Sequence, residues 1–284
     1  MKKELQITDR TVKKFIEYLI GQEKSQSTIK TYQRELFSLQ MYLDDSAVTK
    51  EKLLNYKAMI KDRYTPSTCN VTIAAVNSFL KFAGRVDLCV KPLKVQKNIY
   101  ESTDKSLTKR DFDKMVRAAQ KSGQERTALI IQTICSTGIR VSELQFITVE
   151  ALQKGTAQIS CKGKNRVVFL PSTLRNLLKR YAEKHNITSG GIFVTRSGKP
   201  LDRSNIWKSM KQLCDIAGVK SGKVFPHNLR HLFAKTYYSA EKDISRLADI
   251  LGHSNVNTTR IYTRETGAVH ARQIEALGLV CDTT

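Results

Sequence analysis

The chain has 284 residues, enough for two domains of ordinary size, and its 40% apolar content suffices for real cores. Its 48 Lys+Arg stand against 26 Asp+Glu, a net charge of +22, so a polyanionic partner is expected, nucleic acid first of all. The start, MKKELQITDR, has charges with no apolar run behind them and so reads as no secretory signal, and no stretch approaches the ~18 apolar residues of a membrane span.

Four helical segments come first. Thr8 or Asp9 can cap a helix whose Val12, Phe15, Ile16 and Leu19 share one face, with Gly21 at its end. STIKTYQRELFSLQMYL places Ile29, Tyr32, Leu36, Leu39 and Leu43 at spacings of three and four. Thr49 opens a third helix through Leu53 and Ile60. TPSTCNVTIAAVNSFLKFAG gives a fourth, with Pro66 in its first turn and Gly84 after its end. Residues 1–88 are thus expected to form a small all-α domain. Residues 89–105, with Pro92 and no periodicity, read as an extended basic linker.

Residues 106–284 are mixed. SLTKRDFDKMVRAAQ opens on a capping pattern, and RTALIIQTICSTG is a largely buried helix that stops at Gly138. AQISCKGKNRVVFLP reads as two β-type runs joined by a turn, hence a hairpin. Helices follow after Pro171, broken by the short apolar run GIFV. FPHNLRHLFAKTYYSA and DISRLADILG are the best formed of them. The positive excess is spread along the chain: 18 basic against 10 acidic residues in 1–100, and 30 against 16 afterwards. Both domains should therefore touch the partner, which suits a clamp better than a basic arm.

Several chemistries lack a motif. The cysteines at 69, 89, 135, 161, 214 and 281 form no CxxC pair and read as reduced thiols of a cytosolic protein. There is no HExxH and no P-loop, so neither metal nor nucleotide cofactor is expected. What remains is a scatter of polar residues at the punctuation points. TGIRVSEL puts Arg140 just past a glycine stop; CKGKNR puts Lys162 and Lys164 on a hairpin tip. PHNLRH sets His227 and Arg230 three apart at a helix start. LGHSN puts His253 at a helix stop, and Tyr262 follows nine residues later. Each alone is more often structural than catalytic.

Taken together and in this order, TGIRVSEL, the basic hairpin, HNLRH and LGHSNVNTTRIY resemble the signature of the tyrosine recombinases, the phage-integrase and Xer-type family. The resemblance spans almost the whole chain. It implies a mainly α fold with a small β-sheet: a four-helix SAM-like core-binding domain and an α+β catalytic domain, closing as a C-shaped clamp on DNA. It implies Arg140, Lys162, His227, Arg230, His253 and Tyr262 as catalytic residues, with Tyr262 the nucleophile. The two arginines would clamp the phosphate, Lys162 would protonate the leaving 5′ oxygen, His227 would move a proton, and His253 would hold a phosphate oxygen. The turn CKGKNR is shorter than in many members, which leaves Lys164 as the alternative acid. Glu143, one turn after Arg140, supports the site or is solvated.

The implied partner is double-stranded DNA with an inverted-repeat core site, bound by a homotetramer that exchanges its C-terminal tails, with accessory DNA-binding proteins and no membrane. The start of the chain lies in the core-binding domain, without the arm-site domain of larger integrases, which favours a resolvase or Xer-like task. A type IB topoisomerase shares the same covalent logic and is the second enzymatic reading. A non-enzymatic regulator of excisionase or repressor type leaves the polar set unexplained.

Overall fold

The structure, a computed structural model, describes residues 4–95, 106–161, 164–195, 197–253, 255–262, 272, 274–277 and 279. The chain divides into two compact units, Met1–Lys97 and Asn98–Thr284.

The first unit is four helices: α1 (Asp9–Gly21), α2 (Gln26–Leu43), α3 (Lys50–Arg63) and α4 (Pro66–Phe82). Each begins on a hydroxyl residue, Thr8, Ser25, Thr49 and Thr65, whose side-chain oxygen accepts from the backbone N–H three residues on. Such a cap satisfies one of the open donors of a helix start and contributes about 1 kcal/mol. The core collects the expected faces, with Phe15, Leu36, Leu53 and Phe79 fully buried.

The presumed linker starts later than the sequence suggests. Val90 is buried and Leu93 packs on the first core. Asn77 of α4 binds both the N–H and the carbonyl of Val90 (2.9 and 2.8 Å), and Asn70 does the same for Leu93 (2.7 and 2.9 Å). A carboxamide offers a donor and an acceptor side by side, so each asparagine serves as a neighbouring peptide group would. Lys57 of α3 donates to the carbonyl of Lys91 at 2.7 Å, and Lys50 to those of Leu88 and Cys89. Residues 88–93 are therefore strapped to the helices, and residues 96–105 lie outside the described ones.

The second unit opens with α5 (Lys109–Lys121), capped reciprocally by Thr108 and Asp111, and α6 (Glu125–Thr137). α6 is buried on most sides and packs against α5, α8 (Ser172–Lys184) and α10 (Pro226–Glu241). A 3₁₀ turn, Val141–Phe146, and α7 (Val149–Lys154) lead into the hairpin of β1 (Thr156–Cys161) and β2 (Lys164–Phe169). The strands pair antiparallel with Ala157 opposite Val168, Ile159 opposite Arg166 and Cys161 opposite Lys164. Ala157, Ile159 and Val168 point into the core, while Val167 and Phe169 are exposed. The GIFV run forms only isolated bridges, Thr148 with Gly191 and Val194 with Pro200. α9 (Arg203–Ala217), α11 (Ile244–Leu251), α12 (Val256–Thr259) and a 3₁₀ turn at Arg260–Tyr262 complete the unit.

Candidate active site

Four segments distant in sequence meet in the second unit: the turn after α6, strand β2, the first turns of α10, and the stretch from α11 to Tyr262. Gly138 makes the first possible. It ends α6 in the left-handed conformation (φ 65°), and a Cβ there would stand 2.4 Å from the Phe233 ring. The sharp stop brings Arg140 out at the start of the 3₁₀ turn, its side chain 44% exposed.

Glu143 is not solvated. It is 1% exposed, and its carboxylate accepts from the Arg140 guanidinium (2.9 Å), the Arg140 backbone N–H (2.7 Å) and the Arg166 guanidinium (2.7 Å). Arg166 also donates to the carbonyl of Leu251 at 2.6 Å, at the end of α11. Arg230, 2% exposed, donates to that same carbonyl and to the carbonyl of Gly138, both at 2.7 Å. The circuit closes on itself, because Gly138 lies two residues before Arg140. Two of the three guanidiniums, those of Arg140 and Arg166, pair with the one carboxylate, so the ring holds an excess of two positive charges.

The histidines add no charge at neutral pH. Burial, then Arg230 and Arg140, lower His253 to about 4. Its Nε2 lies 3.0 Å from the Arg230 guanidinium, which can only donate. Nε2 is therefore the acceptor, and Nδ1 carries the proton and donates to the buried Thr259 hydroxyl at 2.9 Å. Both ring nitrogens are thus engaged inside the protein, the single N–H toward Thr259 and Nε2 toward Arg230. His227, exposed at the start of α10, is lowered by burial first and then by Arg230 and Arg140. Burial and then His227 push His231 down to about 4. Arg230 itself is lowered to about 10 by burial and then by Arg140, with the Tyr262 phenol acting in the opposite sense through charge and a hydrogen bond. It stays cationic at neutral pH.

Tyr262 is 2% exposed and closes a small cluster with Ala234, Leu247 and Leu251. Its ring meets His231 edge to face at 4.4 Å and lies nearly parallel to His253 at 5.9 Å. His231 in turn touches His227 at 4.7 Å. The structure thus brings Arg140, Glu143, His227, Arg230, His253 and Tyr262 into one neighbourhood. Lys162 lies outside the described residues, and of Lys164 only the backbone pairing with Cys161 is described.

Three participants escaped the sequence reading: Arg166, His231 and Thr259. Arg166 left a signal. It occupies a position where the hairpin's alternation calls for an inward apolar side chain, between Lys164 and the buried Val168. His231 and Thr259 left none that separates them from ordinary helix residues. Among the described residues no group of three or more His, Cys, Asp or Glu could hold a metal ion. No described helix is long and apolar enough to cross a membrane. Cys69, Cys89, Cys135 and Cys214 are free thiols, and burial pushes Cys135 far above the usual thiol range, which leaves it inert.

The site sets a cationic frame beside a phenol, an arrangement whose chemistry suits an anion. Comparison with known proteins gives it a lineage. The profile of the phage integrase family matches residues 105–268, and that of the phage integrase N-terminal SAM-like domain matches residues 12–86. The chain is 28% identical to the tyrosine recombinase XerA of Pyrococcus furiosus over 98% of this chain and 97% of that one. It is 26% identical to the tyrosine recombinase XerD of Oceanobacillus iheyensis, covering 86% and 89%. The fold superposes on a lambda integrase dimer bound to a core site with a TM-score of 0.73, at 15% identity, covering 92% of this chain and 77% of that one. The chain belongs to the phage integrase family, the tyrosine recombinases, enzymes that break and rejoin DNA strands.

Proposed function

We propose that this recombinase cuts DNA at a specific inverted-repeat site with Tyr262 as nucleophile and exchanges strands between two sites through a Holliday junction. The phenol oxygen attacks the scissile phosphorus, a 3′-phosphotyrosyl bond forms, and the P–O5′ bond breaks. Lys162 gives the departing 5′ oxygen its proton, with Lys164 as the alternative donor. The phenolic proton passes to His227, which its surroundings keep neutral and able to accept it. Arg140 and Arg230 bind the two non-bridging oxygens, whose charge rises toward two as phosphorus becomes pentacoordinate. His253 orients Arg230 in the free enzyme and reaches a phosphate oxygen only after its Nε2 gains a proton. The 5′-hydroxyl of a partner strand then reverses the attack and frees Tyr262.

The observation that carries this reading is the ring of Arg140, Glu143, Arg166 and Arg230, with two positive charges in excess beside the Tyr262 phenol. A buried cationic excess is stable only with an anion to meet it. Each compact unit comes from a strongly basic part of the chain, and each contributes to DNA binding. Four protomers assemble by exchanging their C-terminal tails, and the natural task is resolution of dimers or co-integrates. Most of the tail lies outside the described residues; Ile274, Leu277 and Leu279 within it are exposed. Deleting residues 269–284 should leave single-site binding intact and weaken cooperative assembly. An undiminished assembly after that deletion would remove tail exchange from the proposal.

The decisive experiment recovers the site by selection from random-sequence duplexes and then nicks it beside the scissile phosphate to trap the intermediate. The wild-type chain should give a covalent protein–DNA band, and Tyr262→Phe should bind equally and give none. An adduct with Tyr262→Phe would move the nucleophile to Tyr237, Tyr238 or Ser254. Relaxation of a supercoiled plasmid without exchange between two sites would favour the topoisomerase reading.

A further inference from the structure

Arg166 sits on the inward face of the hairpin. Its side chain is 13% exposed, across the ladder from the buried Ile159 and two positions before the buried Val168. A guanidinium among apolar neighbours is tolerated only when its donors are spent on good acceptors. Here one terminal nitrogen donates to Glu143 at 2.7 Å and the other to the Leu251 carbonyl at 2.6 Å. The backbone makes room for it. Gly252 has φ 65°, and a Cβ there would come within 2.6 Å of the Arg166 guanidinium.

We propose that Arg166 is a positioning residue for strand cleavage, fixing the separation of Arg140 and Arg230 by holding Glu143 and the Leu251 carbonyl at once. The inference rests on the reading of those two arginines as the phosphate clamp. Arg166 is placed as a positioning residue because its fork joins Glu143, which holds the Arg140 guanidinium, to the Leu251 carbonyl, which holds that of Arg230. Its planar fork sets a rigid distance between a carboxylate that carries Arg140 and a carbonyl that carries Arg230. A single ammonium at position 166 reaches one acceptor or the other and leaves the spacing loose. Small misplacement of charge-stabilising groups is expensive in rate, since their value lies in being preorganised.

The test uses the full chain and two nicked duplexes carrying the selected site. One has the natural phosphodiester; the other has a methylphosphonate at the scissile position, where a methyl group replaces one non-bridging oxygen. The methylphosphonate carries one negative charge fewer throughout the reaction, so it asks less of the guanidiniums. Arg166→Lys should slow cleavage of the natural diester by about tenfold or more while slowing that of the methylphosphonate markedly less. An equal loss on both substrates means a general defect and overturns the proposal, as does no loss on either. Arg166→Gln, which keeps one donor group in the amide nitrogen and loses the charge, is put through the same comparison should the lysine form fail to fold. Arg140→Ala is the reference. If its defect also fails to shrink on the methylphosphonate, the clamp reading falls and the Arg166 inference with it. If Arg140→Ala is relieved and Arg166→Lys is not, only the role of Arg166 is refuted.

Discussion

Arg166 and Arg230, 64 positions apart in the chain, donate to the same acceptor, the Leu251 carbonyl, at 2.6 and 2.7 Å. A carbonyl oxygen has two lone pairs, and here both are spent on guanidiniums. That one atom ties the end of α11 to a strand and to the start of α10. The position of each charge at the site therefore depends on several elements at once.

Arg140→Ala and Arg230→Ala should each lower the rate of adduct formation by ~10²-fold or more, the scale for losing one preorganised donor to a developing oxyanion. Affinity for the site should change little, because many phosphates share the binding energy. Rates of adduct formation at saturating protein, set beside gel-shift affinities, separate the two. Equal losses of rate and affinity would reduce both residues to anchors.

Lys162→Ala should stall cleavage of an ordinary duplex yet cut a duplex with a 5′-phosphorothiolate bridge at close to the wild-type rate. Sulfur leaves without a proton, so a missing general acid no longer matters. Failure of the rescue, together with rescue of Lys164→Ala, would transfer the role two residues along.

Stability should depend on pH in a defined window. His231 and His253 are held near 4 in the folded chain, against an ordinary value of 6.5. Between those values the unfolded chain binds more protons than the folded one, so acid favours unfolding. Thermal midpoints should be level above pH 6.5, fall as the pH drops toward 4, and lose this contribution to the slope below it. Replacing His231 by Phe and His253 by Gln should flatten the fall between pH 6.5 and 4. A slope unchanged by both substitutions would place its origin in the carboxylates instead.

Gly138→Ala should destabilise the chain by about 2 kcal/mol or more, as it forces a side chain into left-handed backbone and toward the Phe233 ring. Because the Gly138 carbonyl holds Arg230, adduct formation should fall as well. Denaturant midpoints and adduct rates measured on one preparation test both halves. A stable but inactive protein would separate the backbone's catalytic part from its structural one.

Much of this was legible in the sequence because its causes are local. Thr8, Thr49 and Thr108 announce helix starts, the three- and four-residue spacing of Ile29 to Leu43 announces a buried face, and Gly138 announces a stop. The clustering of Arg140, His227, Arg230, His253 and Tyr262 was legible only through family resemblance, since no local rule brings residues 140 and 262 together. What stayed hidden depends on long-range partners. The strap over residues 88–93 needs Asn70, Asn77, Lys50 and Lys57 to arrive from two helices, and its own residues look like a linker. Glu143 reads as an ordinary surface carboxylate until Arg166, 23 residues on, folds over it.

The ring of guanidiniums has one more consequence, which concerns the protein before it meets DNA. Like charges held close oppose the folded state, and an oxyanion bound between them removes that opposition. Sulfate or phosphate should thus raise the melting temperature of the wild-type chain in a saturable way and protect the Arg140 turn from amide exchange. The same ions, at higher concentration, should compete with the scissile phosphate. Folding and substrate binding are then two readings of a single electrostatic debt, and buffer composition will set how much of it is already settled when the DNA arrives.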